Sequence, residues 1–367
     1  MKFVLSTIAG VESIAKKEIE KQGGKIEEVI DRLVTFSGEK ELIANVNYWS
    51  RVGNKLYLLM GEADNITDFD SLFDLVKSIN WKQIFKKDFP IVVKSSSIRS
   101  ELFSARTIQS IGKKAIVNSL VGDIGVVNED ENLQKAEIFI LLIDNKARIL
   151  LNTSGNALHM RGYRTQAGDA PIKESLAAAL VLLSNWRFKE NFYDTFCGSG
   201  TIAIEALMIA KNIAPGLKRA FAFEKLGLLD WETSENLRAL ARKKIFDGDY
   251  TIMGSDIDPE MVELAKENAA RAGLAGEINF ERKDFKEYLD KELHGTLVSN
   301  PPYGERLKEE DLRGMYNNID KLFRLNPKLG GGVISSYMEF DSLIKKDTYK
   351  KRKLYNGGEK CYFWRRK

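Results

Sequence analysis

The 367-residue chain reads as an α/β protein whose second half forms a mostly parallel sheet covered by helices on both faces, with two smaller α+β units ahead of it. Three observations carry this reading. Beyond residue 171, strand-like apolar runs alternate with helical ones, as crossover connections between parallel strands require. In the first half the alternation is tighter and includes β-type runs joined by turns such as Asp144-Asn145. At the end of the chain, Asn356-Gly357-Gly358 separates two β-type runs, a hairpin signal that adds antiparallel pairing to the sheet.

Taken in order, residues 2–6 read as a strand, 11–22 as an amphipathic helix, 33–36 as a strand, 41–48 as a helix and 55–59 as a strand, together a unit spanning 1–64. A second unit, 65–154, has helical periodicity over 69–85, a strand at 91–94, a helix at 105–120 and two strands within 137–151. Residues 155–170 are polar, contain Gly155, Gly162 and Gly168, and read as a linker. The third unit, 171–367, opens on a helix running to Trp186 with Pro171 in its first turn, where a missing N–H is harmless. Strands follow at 192–195, 250–253, 278–280, 296–299 and 333–336, with helices at 202–210, 259–272 and 312–323.

With 44% apolar residues, 29% charged residues and 7 prolines, disorder and fibrous repeats are excluded, and the length suits two or three domains. Cys197 and Cys361 are too few for a disulfide framework. With His159 and His294 the only imidazoles, no Cys/His zinc site can be assembled, so no metal is expected. No apolar run approaches the ~20 residues of a membrane span, and Ser6, Thr7 and Glu12 interrupt the mildly apolar start, so a cytoplasmic protein is expected. The net charge of +4 is unevenly spread: residues 345–367 hold ten Lys/Arg against two acids, and residues 81–121 eight against two. Such zones are either the footprint of a polyanionic partner or a solvated lysine-rich surface.

Chemistry is concentrated at the ends of the C-terminal strands. The run from Asp194 through Cys197, Gly198 and Gly200 to Thr201 takes a strand end through a tight glycine turn into a helix. There the backbone can approach a ligand closely and free N–H groups face it. The same spacing fits the dinucleotide fingerprint, and a nicotinamide site would expect an acid about 20 residues on. Here the acid after the next strand is Asp256, placed where a carboxylate accepts both hydroxyls of a ribose, while Asp258 before Pro259 reads as a helix cap. After the third strand, Asp284 is placed to hold an exocyclic amine of an adenine, with Phe285 against the ring.

The sharpest motif is Asn300-Pro301-Pro302-Tyr303-Gly304. Seven prolines in 367 residues give a Pro-Pro pair about 0.13 times by chance, and the flanking residues make coincidence far rarer. Two prolines fix the backbone so that the Asn300 amide oxygen and the Pro301 carbonyl can both accept from one NH2 group, while Tyr303 offers a face to a planar base. Acceptors without an acid or nucleophile suit an amine attacking by its own lone pair. On this reading Cys197 is a small packing residue in the glycine turn and not a covalent nucleophile.

In this order the motifs 194–201, 254–258, 283–285 and 300–303 resemble those of class I S-adenosylmethionine-dependent amino-methyltransferases. Residues 159–164, 171–176, Ala214-Pro215-Gly216 and 95–104 are similar to the bacterial THUMP-containing ribosomal RNA guanine-N2 methyltransferases, often labelled adenine-specific DNA methylases because they share Asn-Pro-Pro-Tyr. The resemblance implies a ferredoxin-like domain over 1–64, an RNA-binding THUMP domain over 65–154 and a Rossmann-like class I methyltransferase domain over 171–367. It also implies S-adenosylmethionine as cofactor, methylation of guanosine N2 in large RNA such as 23S ribosomal RNA or a ribosomal precursor particle, and no membrane partner. Asn300, Pro301, Pro302 and Tyr303 would be catalytic. Asp194, Cys197, Gly198, Gly200, Thr201, Asp256, Ile257, Asp284, Phe285 and Lys173 would contact the cofactor, with residues 171–176 closing its pocket. An adenine-N6 methyltransferase and a non-catalytic RNA-binding scaffold are the alternatives.

Overall fold

The computed structural model describes residues 1–85, 90–120, 135–164, 172–303, 309–344 and 346–367; Lys86, Lys87, Gly168, Pro171, Gly304 and Lys345, which belong to segments read from the sequence, lie outside them. The N-terminal strands are β1 (Lys2–Thr7), β2 (Lys25–Ile30), β3 (Leu33–Ser37), β4 (Gly53–Ala63), β5 (Ile91–Ile98), β6 (Ala136–Ile143) and β7 (Lys146–Asn152). They form one sheet in the order β2-β3-β1-β4-β7-β6-β5. Helices α1 (Glu12–Lys21) and α2 (Leu42–Trp49) pack on its first half, and α3 (Phe69–Lys77), α4 (Trp81–Ile84) and α5 (Ala105–Leu120) belong to its second.

The two N-terminal units therefore share a sheet. Strand β4 outgrows the run expected from sequence because it pairs with β1 on one edge and with β7 on the other, Leu58 facing Leu151 across that join. Strand β2 escapes a sequence reading because it is an edge strand with no fully buried residue. The helical stretch 69–85 breaks at Ser78, where the indole of Trp81 donates to the Val76 carbonyl at 2.8 Å and starts α4 in a new direction.

The C-terminal half holds β8 (Phe192–Asp194), β9 (Ile252–Asp256), β10 (Asn279–Arg282), β11 (Gly295–Ser299), β12 (Leu329–Ser335), β13 (Tyr349–Asn356) and β14 (Glu359–Arg366), in the order β10-β9-β8-β11-β12-β14-β13. Pairing is parallel from β10 to β12, and β14 runs antiparallel to β12 and β13. Its helices are α6 (Glu174–Ser184), α7 (Thr201–Ala210), α8 (Ala222–Lys225), α9 (Trp231–Lys243), α10 (Pro259–Ala272), α11 (Glu309–Leu325) and α12 (Phe340–Leu343). Helix α6 starts at Glu174 with Lys173 as its N-cap and stops before Asn185, whose φ of 61° ends the helical path short of Trp186. Helix α7 is buried along all ten residues, which explains its nearly all-apolar sequence.

The polar stretch after β7 is packed between the halves. The hydroxyl of Ser154 donates to Asn47 Oδ1 at 2.6 Å, and Asn47 Nδ2 donates to Thr153 Oγ1 at 3.1 Å. Arg161 is fully enclosed: it donates to the carbonyls of Leu158 and Arg51 and faces Glu205 of α7 at 3.5 Å. Arg51 in turn donates to the Ile213 carbonyl at 2.9 Å, and burial lowers its pKa to about 10. Among the described residues, no helix is long and apolar enough to cross a membrane.

Candidate active site

A cavity of about 1430 Å³ opens where β8, β9, β10 and β11 end. The strand order reverses between β8 and β11, and this is the crevice in which parallel α/β sheets place ligands. Each wall comes from the loop that succeeds one strand. Of the fourteen residues singled out from sequence, twelve line it: Lys173, Cys197, Gly198, Thr201, Asp256, Ile257, Asp284, Phe285, Asn300, Pro301, Pro302 and Tyr303. Asp194 and Gly200 do not.

The glycine turn is shaped for close approach. Gly198 has φ of 48° and open space where a Cβ would stand, so only its own backbone faces the cavity there. Gly200, at φ of 81°, has a different duty: a Cβ on it would come within 2.9 Å of Ala265, so this glycine lets α10 pack against the turn. Asn268 Nδ2 from α10 donates to the Ser199 carbonyl at 2.9 Å and pins the loop. Cys197 is buried in the same turn, and burial pushes its thiol pKa far up, which keeps it protonated and poorly nucleophilic.

Two carboxylates differ sharply in surroundings. Asp256 accepts the Gly198 N–H at 2.9 Å through Oδ2 and the Asp258 N–H at 3.1 Å through Oδ1, so each oxygen is fixed yet keeps a lone pair for a hydroxyl. Beside it, Ile257 is 61% exposed, an apolar surface with no protein covering it. Asp194 lies behind the lining, 1% exposed; Oδ1 accepts from Ser299 at 2.9 Å and Oδ2 has no partner among the described residues. Burial, reinforced by the neighbouring Asp256 charge, pushes its pKa up to about 7. Asp258 caps α10 through the Glu260 N–H at 2.9 Å. Asp284 also has a structural duty, accepting the Lys286 N–H at 2.9 Å at the start of a short 3-10 turn, and lines the cavity.

The adjoining wall lies beyond β11, the strand paired with β8. The Asn300 amide oxygen is buried and, among the described residues, has no hydrogen-bond partner, an arrangement that costs free energy unless a donor is supplied. Pro301 is buried and the Pro302 carbonyl accepts from the Tyr316 hydroxyl at 3.4 Å, so the turn is held from α11. The Tyr303 hydroxyl accepts from Asn356 Nδ2 at 3.1 Å, and burial raises its pKa to about 12, so this phenol is neutral and orients the ring.

Sequence reasoning passed over several lining residues. Phe196 stacks on Phe285 with centroids 4.9 Å apart and makes an aromatic floor between the glycine turn and the loop after β10. Asp311, Gly314, Met315 and Asn318 of α11 also line the cavity, at the spacing of one helix face, a signal visible in sequence but silent about which partner that face meets. Asn356, Gly357 and Glu359 reach the cavity from the β13–β14 turn, contacts that only tertiary pairing creates. Among the described residues, no three His, Cys, Asp or Glu side chains are grouped to hold a metal.

The site can thus take a ligand carrying a diol and a flat ring along β8 to β10, and a hydrogen-bond donor at Asn300. Comparison with known proteins agrees with this geometry. The sequence model of the family described as "RMKL-like, methyltransferase domain" matches residues 161–364, that of the "RlmL ferredoxin-like domain" residues 2–57, and that of the "THUMP domain" residues 67–149. The Bacillus subtilis (strain 168) protein named "Putative RNA methyltransferase YpsC" is 39% identical over 359 residues, 95% of this chain and 91% of its own. SMU.472, described as a methyltransferase and solved in complex with SAH, matches with a TM-score of 0.89 at 35% identity, covering 99% of this chain and 97% of that one. A Listeria monocytogenes str. 4b F2365 protein described as a "predicted N6-adenine-specific DNA methylase" matches with a TM-score of 0.90 at 35% identity, covering 99% and 95%. The chain belongs to the RMKL-like methyltransferase family and carries that family's catalytic fold behind ferredoxin-like and THUMP domains.

Proposed function

We propose that this protein methylates the exocyclic N2 of a guanosine in large RNA, 23S ribosomal RNA, with S-adenosylmethionine as donor. The observation that carries the reading is the buried, unpartnered Asn300 oxygen in a wall stiffened by Pro301 and Pro302. The fit of S-adenosylmethionine rests on the open approach at Gly198, the hydroxyl-accepting positions on Asp256 and the bare apolar face of Ile257. Bound there, the cofactor supplies an electrophilic methyl group on a sulfonium. Asp256 would hold the ribose, Ile257, Asp284 and Phe285 the adenine, and the turn from Cys197 to Thr201 the methionine part, with Asp194 behind it and Lys173 at the rim.

The chain's own residues do the rest by positioning. The Asn300 and Pro301 carbonyl oxygens accept both N–H groups of the target amine, leaving its lone pair directed into the cavity. Tyr303 stacks the base, offsetting at about 1–3 kcal/mol the cost of drawing it from its stack. Holding two reacting groups in line is worth up to roughly 7–11 kcal/mol. The amine becomes acidic only after methylation, so no strong base has to stand beside it.

RNA as substrate is supported by the name of the Bacillus relative, the matched THUMP segment and the exposed cations of the N-terminal half. Arg106 and Lys114 are exposed there, Lys94 and Arg99 are exposed but paired with Glu137 and Asp144, and Phe103 is 84% exposed. The Listeria relative's name favours adenine N6 instead, an amine that Asn300 and Tyr303 could equally hold. Incubation of the full chain with labelled cofactor and unmodified 23S ribosomal RNA, then digestion to nucleosides, should yield N2-methylguanosine. A product that is only N6-methyladenosine would overturn the base assignment.

A further inference from the structure

We propose that the β13–β14 hairpin is an RNA-contact surface separate from the THUMP domain, seating the single strand that flanks the target nucleotide; this rests on the reading of the protein as an RNA methyltransferase. Strand pairing sets Lys353 opposite Tyr362 and Tyr355 opposite Lys360, so two cations and two aromatic rings share one face. The other face is locked: Leu354, Cys361 and Phe363 are buried, and Arg352 donates to the Gly10 carbonyl at 2.9 Å. The cationic face therefore cannot turn inward.

Lys353 and Lys360 are exposed and, among the described residues, pair with no carboxylate. They lie 5.3 Å from the centroids of Tyr355 and Tyr362 respectively. Lys351 covers Tyr362 as well but is neutralised by Asp341. Arg32 joins from the β2–β3 turn, 5.4 Å from the Tyr355 centroid; its ion pair with Asp31, at 3.7 Å, is exposed and weak.

The surface leads to the chemistry. Residues Asn356, Gly357 and Glu359, between Tyr355 and Lys360, line the cavity itself. Lysines and an arginine track phosphates while tyrosine faces stack bases without regard to sequence, the combination that suits unpaired RNA. The strand beside an extruded base is unpaired in the same way.

The test uses the full chain with Arg32→Gln, Lys353→Gln and Lys360→Gln combined, and 23S ribosomal RNA transcribed without modification. Each phosphate contact to a single strand contributes about 0.7 to the slope of log affinity against log salt, so the triple variant should lose about 2 from that slope. Relative to a common value near 1 M salt, this makes binding at about 0.15 M some 50-fold weaker. Tyr355→Ala and Tyr362→Ala should each weaken it roughly tenfold with the slope unchanged. Melting temperature and affinity for S-adenosylmethionine should stay at wild-type values, separating lost contact from lost fold. An unchanged slope and affinity in the triple variant, while wild type methylates this RNA, would overturn the surface alone. A variant that keeps RNA binding but loses binding to phosphatidylglycerol vesicles would overturn it in favour of an anionic membrane. If wild type neither binds nor methylates the RNA, the RNA reading falls and this proposal with it.

Discussion

Replacing Asn300 with alanine should separate stability from activity in an unusual direction. In the free protein its amide oxygen is buried with no partner among the described residues, which costs about 1–3 kcal/mol. Truncation relieves that cost and forfeits some packing, typically about 1 kcal/mol for so small a loss. The variant should therefore melt at the wild-type temperature or slightly above it. Activity moves the other way. As the target nitrogen gains positive charge, the hydrogen bond it donates to this oxygen strengthens toward the charge-assisted range of about 1.5–3 kcal/mol, or roughly 10- to 150-fold in rate. Loss of orientation adds to this, so kcat should fall by about two to three orders of magnitude. Affinity for S-adenosylmethionine, read by calorimetry, should change less than twofold because on the proposed reading the Asn300 oxygen serves the target amine and not the cofactor. A melting temperature several degrees lower, or cofactor affinity falling in step with kcat, would refute the argument.

Asp256→Ala should show the reverse pattern: it removes the acceptor of the Gly198 N–H and the proposed ribose contacts together, so cofactor affinity should drop about 100-fold or more by calorimetry, ahead of any effect at saturation. Asp194 gives a pH signature, since a carboxyl whose folded pKa is raised to about 7 stabilises the fold below its ordinary value near 3.8 and loses that contribution as pH climbs through 7. Asp194→Asn should accordingly gain on wild type across that window, by at most about 4 kcal/mol, and denaturation of both at pH 5 and pH 8 measures it. Cys197→Ser should keep substantial methyl transfer, whereas complete loss with cofactor binding intact would point to a covalent role. Glu205→Ala leaves Arg161 buried without its counter-charge and should cost about 3–5 kcal/mol in chemical denaturation.

Much of the catalytic half was legible because its chemistry is local. Parallel strands in a covered sheet are short apolar runs, and each run gives way to a loop at the carboxyl edge, so reading the residues after 192–194, 252–256, 279–282 and 295–299 amounts to reading four walls of the cavity. The features that stayed hidden are made by distance in sequence. Nothing in Asp311, Gly314, Met315 and Asn318 says that this face of α11 meets Pro302, and nothing in Asn356 says that its amide holds Tyr303. Asp194 stands apart for the opposite reason: it belongs to the motif, but as the last residue of a central strand it is enclosed behind the lining, which its place in the motif does not reveal.

The stretch after β7 shows why polarity alone is a poor guide to exposure. Glycines and charged residues from 155 to 164 have the composition of a tether, and composition cannot reveal that Glu205 lies in an otherwise apolar helix facing Arg161, or that Arg51 spends its guanidinium on carbonyls of the opposite half. Buried charges of this kind contribute little net stability against well-packed apolar residues, but they are costly to separate, since pulling the halves apart strands each of them in a low dielectric. Together with Arg352 on the Gly10 carbonyl and Tyr48 on Ser234, they oppose sliding of the N-terminal sheet over the catalytic one. On the RNA reading, a substrate gripped by the N-terminal half is then presented to Asn300 at a set offset, so reach is decided by the seam and not by the length of chain between the domains.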